Sequence, residues 1–112
     1  MLRGQIWLYR ADPTVGDEIG KTRPCVIVSN DEIGVLRLKV IVPITGWNDV
    51  FAKIPWMVRI EPTSENGLSK LSVADAFQVR SVSEQILIKQ VGTVSEETIQ
   101  ELGLALAVVL NI

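Results

Sequence analysis

Short apolar runs, separated by glycine, proline and asparagine, mark most of the chain as β-strands. The pattern predicts five strands, at residues 4–10, 24–29, 36–44, 56–60 and 72–82. The second run, PCVIVS, is continuously apolar, which is typical of a strand buried on both faces. A helical turn at 83–86 and a small strand at 89–93 follow. The pattern therefore predicts a mostly β fold made of short antiparallel strands.

Two long polar segments interrupt the strands. Residues 11–23 contain an Asp-Pro pair and two glycines, and residues 45–55 contain a Gly-Trp-Asn-Asp sequence. The first segment, at about thirteen residues, is longer than ordinary connections, and such loops are usually functional or mobile. We therefore expect the functional residues to lie in or beside these two segments.

The last eighteen or so residues predict one α-helix. Ser95 is a suitable N-cap, and Glu96 and Glu97 follow in the first turn, where the helix dipole favours negative charge. One face of this helix is apolar and consists of Ile99, Leu102, Leu106, Val109 and Leu110. Two further apolar residues, Leu104 and Val108, make it wider than one sheet face needs. The excess indicates either a dimer interface or tolerated exposed surface.

Composition indicates a single domain covering residues 1–112. The chain is 47% hydrophobic and 21% charged, which excludes intrinsic disorder. Its mean hydropathy of +0.29 favours a homodimer, with a well-packed monomer as the alternative. No run of eighteen apolar residues and no signal-peptide core occurs, so we expect a cytoplasmic protein without a membrane partner.

The histidine count of zero restricts the chemistry more than any other number. It excludes Ser-His-Asp and Cys-His nucleophilic sites, histidine metal sites and a two-histidine ribonuclease mechanism. The lone Cys25 excludes an internal disulfide and is expected to be a buried, inert thiol. No acidic residues show metal-ligand spacing, so no metal or other cofactor is expected. Residues 1–60 contain eight basic and six acidic side chains and 61–112 contain three and seven, so the first half is the better candidate for an anionic partner.

Several short sequences follow one another in a fixed order: RGQIW at 3–7, DPTVGDE at 12–18, KTRPCVIVS at 21–29, VPIT at 42–45, GLSKLSV at 67–73 and FQVRSV at 77–82. Together they resemble the MazF/PemK/Kid family of toxins, the mRNA interferases of bacterial toxin–antitoxin pairs. The resemblance covers nearly the whole chain. It implies a small SH3-like antiparallel barrel of the CcdB/Kid type with a C-terminal α-helix, and a homodimer.

The same resemblance implies an activity and two partners. The activity is metal-independent, sequence-specific cleavage of single-stranded RNA, in which the ribose 2′-OH attacks the adjacent phosphate and leaves a 2′,3′-cyclic phosphate and a 5′-OH. The partners are the RNA and a cognate antitoxin, whose disordered acidic C-terminal segment folds onto the toxin and blocks the RNA groove. The alternative is a non-catalytic module that poisons a protein target, as the gyrase toxin CcdB does.

Three residues match the catalytic positions of the family. Arg23 matches the arginine of the R-P motif, where a guanidinium would stabilise the charged phosphorane; the alternative is a surface arginine paired with Asp17 or Glu18. Thr45 ends the P-[IV]-T motif, where its hydroxyl would hold a phosphate oxygen or the 2′-OH; the alternative is loop capping. Glu18 matches the acidic residue of the G-x-E segment and is the candidate general base, with solvated loop charge as the alternative.

Eight further residues are candidates for RNA binding: Asp17, Lys21, Trp47, Asn48, Lys53, Phe77, Gln78 and Arg80. Trp47 is expected to stack on a base, whereas Trp56 and Trp7 are expected in the core. Gln78 and Arg80 match the family's Q-x-R strand, and Arg80 either contacts the RNA backbone or forms a salt bridge within the dimer.

The sequence departs from Kid-type toxins at their acid–base residues. Alignment on Gln78 puts Asp75 and Phe77 where those toxins carry an arginine and an aspartate, and Asp17 where they carry a histidine. The Kid-type acid–base set is therefore missing, while the Arg23/Thr45 pair is intact.

Overall fold

The computed structural model describes residues 1–11, 21–34 and 36–112. In this part of the chain the strands are β1 (Gln5–Arg10), β2 (Thr22–Ile27), β3 (Leu38–Gly46), β4 (Met57–Ile60), β5 (Ser72–Asp75), β6 (Arg80–Ser83) and β7 (Leu87–Thr93). One α-helix, α1 (Glu96–Leu110), follows them. The mostly β fold with a C-terminal helix is thus confirmed, as are the helical turn, now Glu84–Ile86, and the last strand.

The strands pair antiparallel in the order β4-β5-β3-β2-β1-β7, and β6 pairs with β3 beside this path. The long strand β3 changes partner along its length, because Leu38–Ile41 pair with β6 whereas Ile44–Gly46 pair with β5. The expected closed barrel is not formed by the described strands, whose pairings leave an open path ending at β4 and β7. The exchange of partners on β3 divides the strands into two sheets that share β3.

The prediction of one continuous fifth strand over residues 72–82 is wrong. The chain forms β5 and β6 with a 3-10 turn, Ala76–Gln78, between them. Asp75 is the N-cap of this turn and accepts a hydrogen bond from the backbone N–H of Phe77. The cap turns the chain away from β5, so that β6 pairs with the other half of β3.

Hydrophobic side chains on the two faces of β2 form two core clusters. Val26 and Val28 belong to one cluster, together with Ile6 of β1 and Leu102 of the helix. The other cluster consists of Tyr9, Cys25, Ile27, Ile41, Val82 and Leu87. The prediction that this strand is buried on both faces is therefore confirmed.

The helix begins at its predicted cap, since Ser95 Oγ accepts a hydrogen bond from the backbone N–H of Thr98 at 3.1 Å. Its buried residues are Leu102 and Ala105. Leu110, expected on the buried face, is 55% exposed because it lies in the last turn, just before the left-handed C-cap Asn111. In the described part of the chain, no helix is long and apolar enough to cross a membrane.

Candidate active site

A cleft of about 390 Å³ opens where β1, β2 and β3 meet the turn after β5. Its lining consists of Tyr9, Ala11, Arg23, Pro43, Ile44, Thr45, Asp75, Gln78 and Arg80. Four of these residues were predicted from the sequence: Arg23, Thr45, Gln78 and Arg80. Two separate sequence motifs and the Q-x-R strand therefore meet at one concave surface.

Strand register brings the two motifs together. Across β1 and β2 the Cα partner of Arg23 is Tyr9. Across β2 and β3 the partner of Cys25 is Pro43, and Arg23 and Thr45 each lie two residues beyond this pair, towards the same end of the two strands. Directly opposed residues of antiparallel strands carry their side chains on the same face. Tyr9 and Arg23 thus share a face, and they line the cleft together with Thr45 of the neighbouring strand β3.

The turn that follows β5 supplies the polar wall of the cleft. Asp75 Oδ1 accepts the backbone N–H of Phe77 at 3.1 Å, and Asp75 Oδ2 accepts a hydrogen bond from Gln78 Nε2 at 2.9 Å. The carboxylate that caps the turn therefore also orients the Gln78 amide. The carbonyl oxygen of that amide is left to accept from water or a ligand.

The charge of the cleft is mainly positive. Arg23 and Arg80 contribute two guanidinium groups and Asp75 one carboxylate. Within residues 1–11, 21–34 and 36–112, no carboxylate oxygen lies within 4.0 Å of a nitrogen of Arg23 or Arg80. Each guanidinium carries five N–H donors, and planar donors of this kind match the oxygens of a phosphate. The cleft is therefore suited to an anion.

Three residues at or beside this surface were not predicted from the sequence as site residues: Tyr9, Asp75 and Lys70. Tyr9 was assigned only to a strand, and no local pattern indicates that its ring reaches a cleft. Lys70 lies beside Gly46, because a Cβ placed on that glycine would be 3.3 Å from Lys70 Nζ. Lys70 adds a positive charge next to the end of β3. The GLSKLSV sequence was the only available signal for it.

The catalytic candidate Glu18 and the binding candidate Asp17 lie outside the described residues. The flanks of that segment are described. The backbone N–H of Ala11 donates to the carbonyl oxygen of Lys21 at 2.8 Å, which holds the two flanks together, and Ala11 lines the cleft. Lys21 is exposed and is not part of the cleft lining.

Trp47 lies outside the lining of the cleft and is half-buried. Its indole Nε1 donates to Asp49 Oδ1 at 3.0 Å. Its ring makes an edge contact with Phe51, at a centroid distance of 6.1 Å, and the Arg59 guanidinium carbon lies 5.3 Å from the ring centroid. These contacts hold the ring in place beside a cation.

Three further candidates for RNA binding, Asn48, Lys53 and Phe77, lie at different places in the fold. The Asn48 side chain caps the 3-10 helix Asp49–Lys53 by accepting from the Val50 N–H at 3.1 Å, and Lys53 is exposed at the end of that helix. Phe77 is 62% exposed and its ring lies 5.4 Å from that of Trp56, which is packed against the core as expected. None of these three residues is part of the cleft lining.

A second cavity, of about 490 Å³, lies between β4 and the start of α1 and contains none of the predicted residues. Its lining cation, Arg59, is paired with Glu61 at 3.4 Å, and Glu65 adds a negative charge. This cavity is therefore less suited to an anion than the cleft that contains Arg23.

The described residues include no group of three or more histidine, cysteine or acidic side chains that could hold a metal ion. Cys25 is fully buried below the cleft, and burial raises the pKa of its thiol to about 12. A thiol with this pKa stays protonated near neutral pH and is a poor nucleophile. Among the described residues, the cleft offers two guanidinium groups, hydroxyls, the Gln78 amide and the Asp75 carboxylate for chemistry.

Comparison with known proteins identifies the family. Residues 2–110 match the model of the PemK-like, MazF-like toxins of type II toxin–antitoxin systems. The chain is 31% identical to endoribonuclease MazF9 of Mycobacterium tuberculosis (strain H37Rv), over 100% of this chain and 98% of the relative. It is 32% identical to endoribonuclease MazF of Staphylococcus saprophyticus, over 100% of this chain and 92% of the relative.

The fold has solved counterparts. A mycobacterial endoribonuclease, solved in complex with its cognate antitoxin, superposes with a TM-score of 0.77 at 24% identity, covering 100% of this chain and 96% of the other. A likeness at this identity concerns the arrangement of strands and helix. The family match over residues 2–110 and the two relatives that are 31% and 32% identical lead to one conclusion: the chain belongs to the PemK-like, MazF-like toxins of type II toxin–antitoxin systems.

Proposed function

We propose that this protein is an endoribonuclease toxin that cleaves single-stranded RNA at a short sequence, without a metal ion. The observation that carries the proposal is the meeting of Arg23 and Thr45 in one cleft with a second guanidinium, that of Arg80. The names of two relatives that are 31% and 32% identical, both endoribonucleases, support the same activity.

The chemistry follows from the groups in the cleft. Attack of the ribose 2′-OH on the adjacent phosphate passes through a phosphorane, which carries more negative charge on its oxygens than the ground state. Donors aimed at these oxygens lower the barrier, because they interact more strongly with the transition state than with the substrate. Arg23 is the principal donor, the Thr45 hydroxyl holds a phosphate oxygen or the 2′-OH, and Arg80 contacts the RNA backbone.

Glu18 is proposed as the general base that removes the 2′-OH proton. A carboxylate is a suitable base in a chain without histidine. Support comes from the flank of its segment, since Ala11 lines the cleft. Asp17 and Lys21, which flank Glu18 in sequence, are proposed to contact RNA near the scissile phosphate.

Base recognition is proposed for the surface around the cleft. Phe77 is exposed, so its ring can stack on an unpaired base. Trp47 is proposed to stack on a second base, beside the Arg59 guanidinium that lies over its ring. Asn48 and Lys53 lie on the same loop as Trp47 and supply an amide and a charge to the RNA. Gln78, oriented by Asp75, offers its carbonyl oxygen to a base or sugar hydroxyl.

The partners follow from the family. We propose a cognate antitoxin that covers the cleft, since the family consists of toxins of type II toxin–antitoxin systems. We also propose a homodimer, supported by the exposed apolar residues Leu104 and Val108 on α1. The fold is proposed to be of the SH3-like type, and RNA as substrate supports action in the cytoplasm.

A cleavage assay in EDTA on a long unstructured RNA tests the function. Wild-type protein is expected to cut at one short sequence and leave 2′,3′-cyclic phosphate and 5′-OH ends. Arg23→Ala is expected to lower the rate by about 10²-fold or more, because it removes a transition-state donor. The matched control is Arg37→Ala, which removes the same charge just before Leu38, at the end of β3 opposite to Thr45.

Two outcomes would contradict the proposal. Cleavage that stops in EDTA would contradict the metal-independent mechanism. Folded protein that cuts no RNA, but inhibits a partner enzyme, would favour the non-catalytic binding module instead.

A further inference from the structure

Tyr9 belongs both to the core and to the cleft. Its ring packs in the cluster that contains Cys25, Ile27 and Ile41, and only 4% of its surface is exposed. It nevertheless lines the cleft beside Arg23. The hydroxyl is the one polar atom of the side chain, and buried tyrosines keep this atom in a hydrogen bond or at a wet surface. The core therefore holds the ring in place at the floor of the cleft.

The proposed RNA cleavage needs a proton donor as well as a base. When the P–O5′ bond breaks, the departing 5′ oxygen carries a negative charge and must take up a proton. Asp75 accepts two hydrogen bonds and acts as an acceptor. Guanidinium groups have pKa values of about 12.5 or more, and neither a threonine hydroxyl nor an amide is an effective acid.

A phenol has the properties that these groups lack. The ordinary pKa of tyrosine is about 10, so it is protonated at neutral pH and is still a much stronger acid than the alcohol it would protonate. Among the described residues that line the cleft, Tyr9 is the one whose side chain carries a phenolic proton. The chain contains one tyrosine in total.

The position of Tyr9 in the row of strands also fits this role. Tyr9 is the Cα partner of Arg23 on one side of β2, and Thr45 lies on β3, the strand on the other side of β2. Adjacent strands lie about 4.8 Å apart, so Tyr9 and Thr45 stand on opposite sides of the arginine. A phosphate held by Arg23 therefore lies in the same cleft as Tyr9 and Thr45, which come from the strands on either side of the arginine. In an in-line displacement the attacking and leaving oxygens lie on opposite sides of the phosphorus, so the general acid and the general base act from different directions.

We propose that Tyr9 is a catalytic residue, the general acid that protonates the 5′ oxygen; this rests on the endoribonuclease function proposed above. The 2′ oxygen forms a bond to phosphorus as its proton passes to the base carboxylate. The P–O5′ bond breaks, its electron pair stays on the 5′ oxygen, and the phenolic proton of Tyr9 is transferred there. The resulting phenolate, next to the Arg23 cation, takes a proton back from water, and the base releases its proton to solvent.

The test compares two RNA oligonucleotides that differ at the scissile linkage. One carries the natural 5′ oxygen and the other a bridging 5′ sulfur, which departs as a stable thiolate without protonation. Tyr9→Phe, which keeps the ring in the core, is expected to lower kcat on the oxygen linkage by about 10² to 10⁴-fold. On the sulfur linkage the loss is expected to be less than about tenfold. Arg23→Ala, the comparison variant, is expected to lose activity on both linkages.

A second measurement does not depend on the folding of a variant. Fluorotyrosine incorporated during expression replaces Tyr9 alone, because it is the only tyrosine. The high-pH limb of the kcat profile is expected to move to lower pH with the lower pKa of the fluorinated phenol. A merely structural ring would leave this limb in place.

The outcomes separate the two proposals. Wild-type cleavage together with an equally active Tyr9→Phe, an equal loss on both linkages, or an unmoved pH limb would overturn the role of Tyr9 alone. Wild-type protein that cleaves neither oligonucleotide, nor any longer RNA, would overturn the endoribonuclease function and the role of Tyr9 with it.

Discussion

The carboxylate of Asp75 bridges its own turn and the amide of Gln78. One oxygen accepts the backbone N–H of Phe77 at 3.1 Å, and the other accepts Gln78 Nε2 at 2.9 Å. The same side chain lines the cleft. The residue that separates β5 from β6 thus also fixes a polar group at the candidate active site.

Substitution of Asp75 is therefore expected to affect both stability and activity. Asp75→Ala removes a cap and is expected to lower the free energy of unfolding by about 1 kcal/mol. It also frees the Gln78 amide, so RNA cleavage is expected to decrease. Gln78→Ala, the matched variant, keeps the cap and is expected to reduce cleavage with little loss of stability. Urea unfolding and a cleavage assay measure both effects; an unchanged unfolding free energy in Asp75→Ala would contradict the capping role.

Arg80 has two possible roles that a salt titration separates. If Arg80 contacts an RNA phosphate, Arg80→Ala removes one such contact. The slope of log K for RNA binding against log salt concentration is then expected to become shallower by about 0.7. The assembly state, measured by sedimentation, is expected to stay the same. Loss of the dimer at an unchanged slope would instead assign Arg80 to a salt bridge between subunits.

Gly67 is expected to be intolerant of a side chain. Its φ of +68° lies in the left-handed region, and an added Cβ would lie 2.3 Å from the Val91 carbonyl oxygen. Gly67→Ala is expected to lower the free energy of unfolding by about 2 kcal/mol or more. The matched control is Gly103→Ala in α1, where an added Cβ meets nothing within 4 Å. It is expected to raise stability by about 1 kcal/mol, because alanine favours the helix. Equal effects of the two substitutions on the thermal midpoint would contradict this view of the Gly67 turn.

The thiol of Cys25 is expected to be unreactive in the folded protein. Burial raises its pKa from 9.0 to about 12. The thiolate fraction at pH 8 thus falls from about 10% to about 0.01%. Labelling with a disulfide reagent is expected only after unfolding in urea. Rapid labelling at pH 8 without denaturant would contradict the buried position.

The raised pKa of Cys25 also makes the free energy of unfolding depend on pH. The folded state holds the thiol proton more tightly than the unfolded state, so this contribution is complete below about pH 9. It is lost as the pH rises towards about 12. Cys25→Ala is expected to unfold with a weaker dependence on pH in this alkaline range.

Local sequence predicted much of the fold because strand alternation and helix capping involve neighbouring residues. The apolar run of β2 and the Ser95 cap were both recognisable without knowledge of distant contacts. The break at Asp75 was not, because 72–82 reads as one β-rich run. The break occurs because β3 offers two separate stretches for pairing, at Leu38–Ile41 and Ile44–Gly46.

The candidate site was also predicted only in part from the sequence. The R-P and P-I-T motifs identified Arg23 and Thr45, and the absence of histidine restricted the chemistry, all from the sequence by itself. Only the tertiary structure decided that Arg23 and Thr45 line one cleft, that Trp47 lies outside it, and that Tyr9 forms part of its floor. The physical reason is that register joins residues distant in sequence, and a residue's neighbours across a sheet depend on partner strands that its own sequence does not specify.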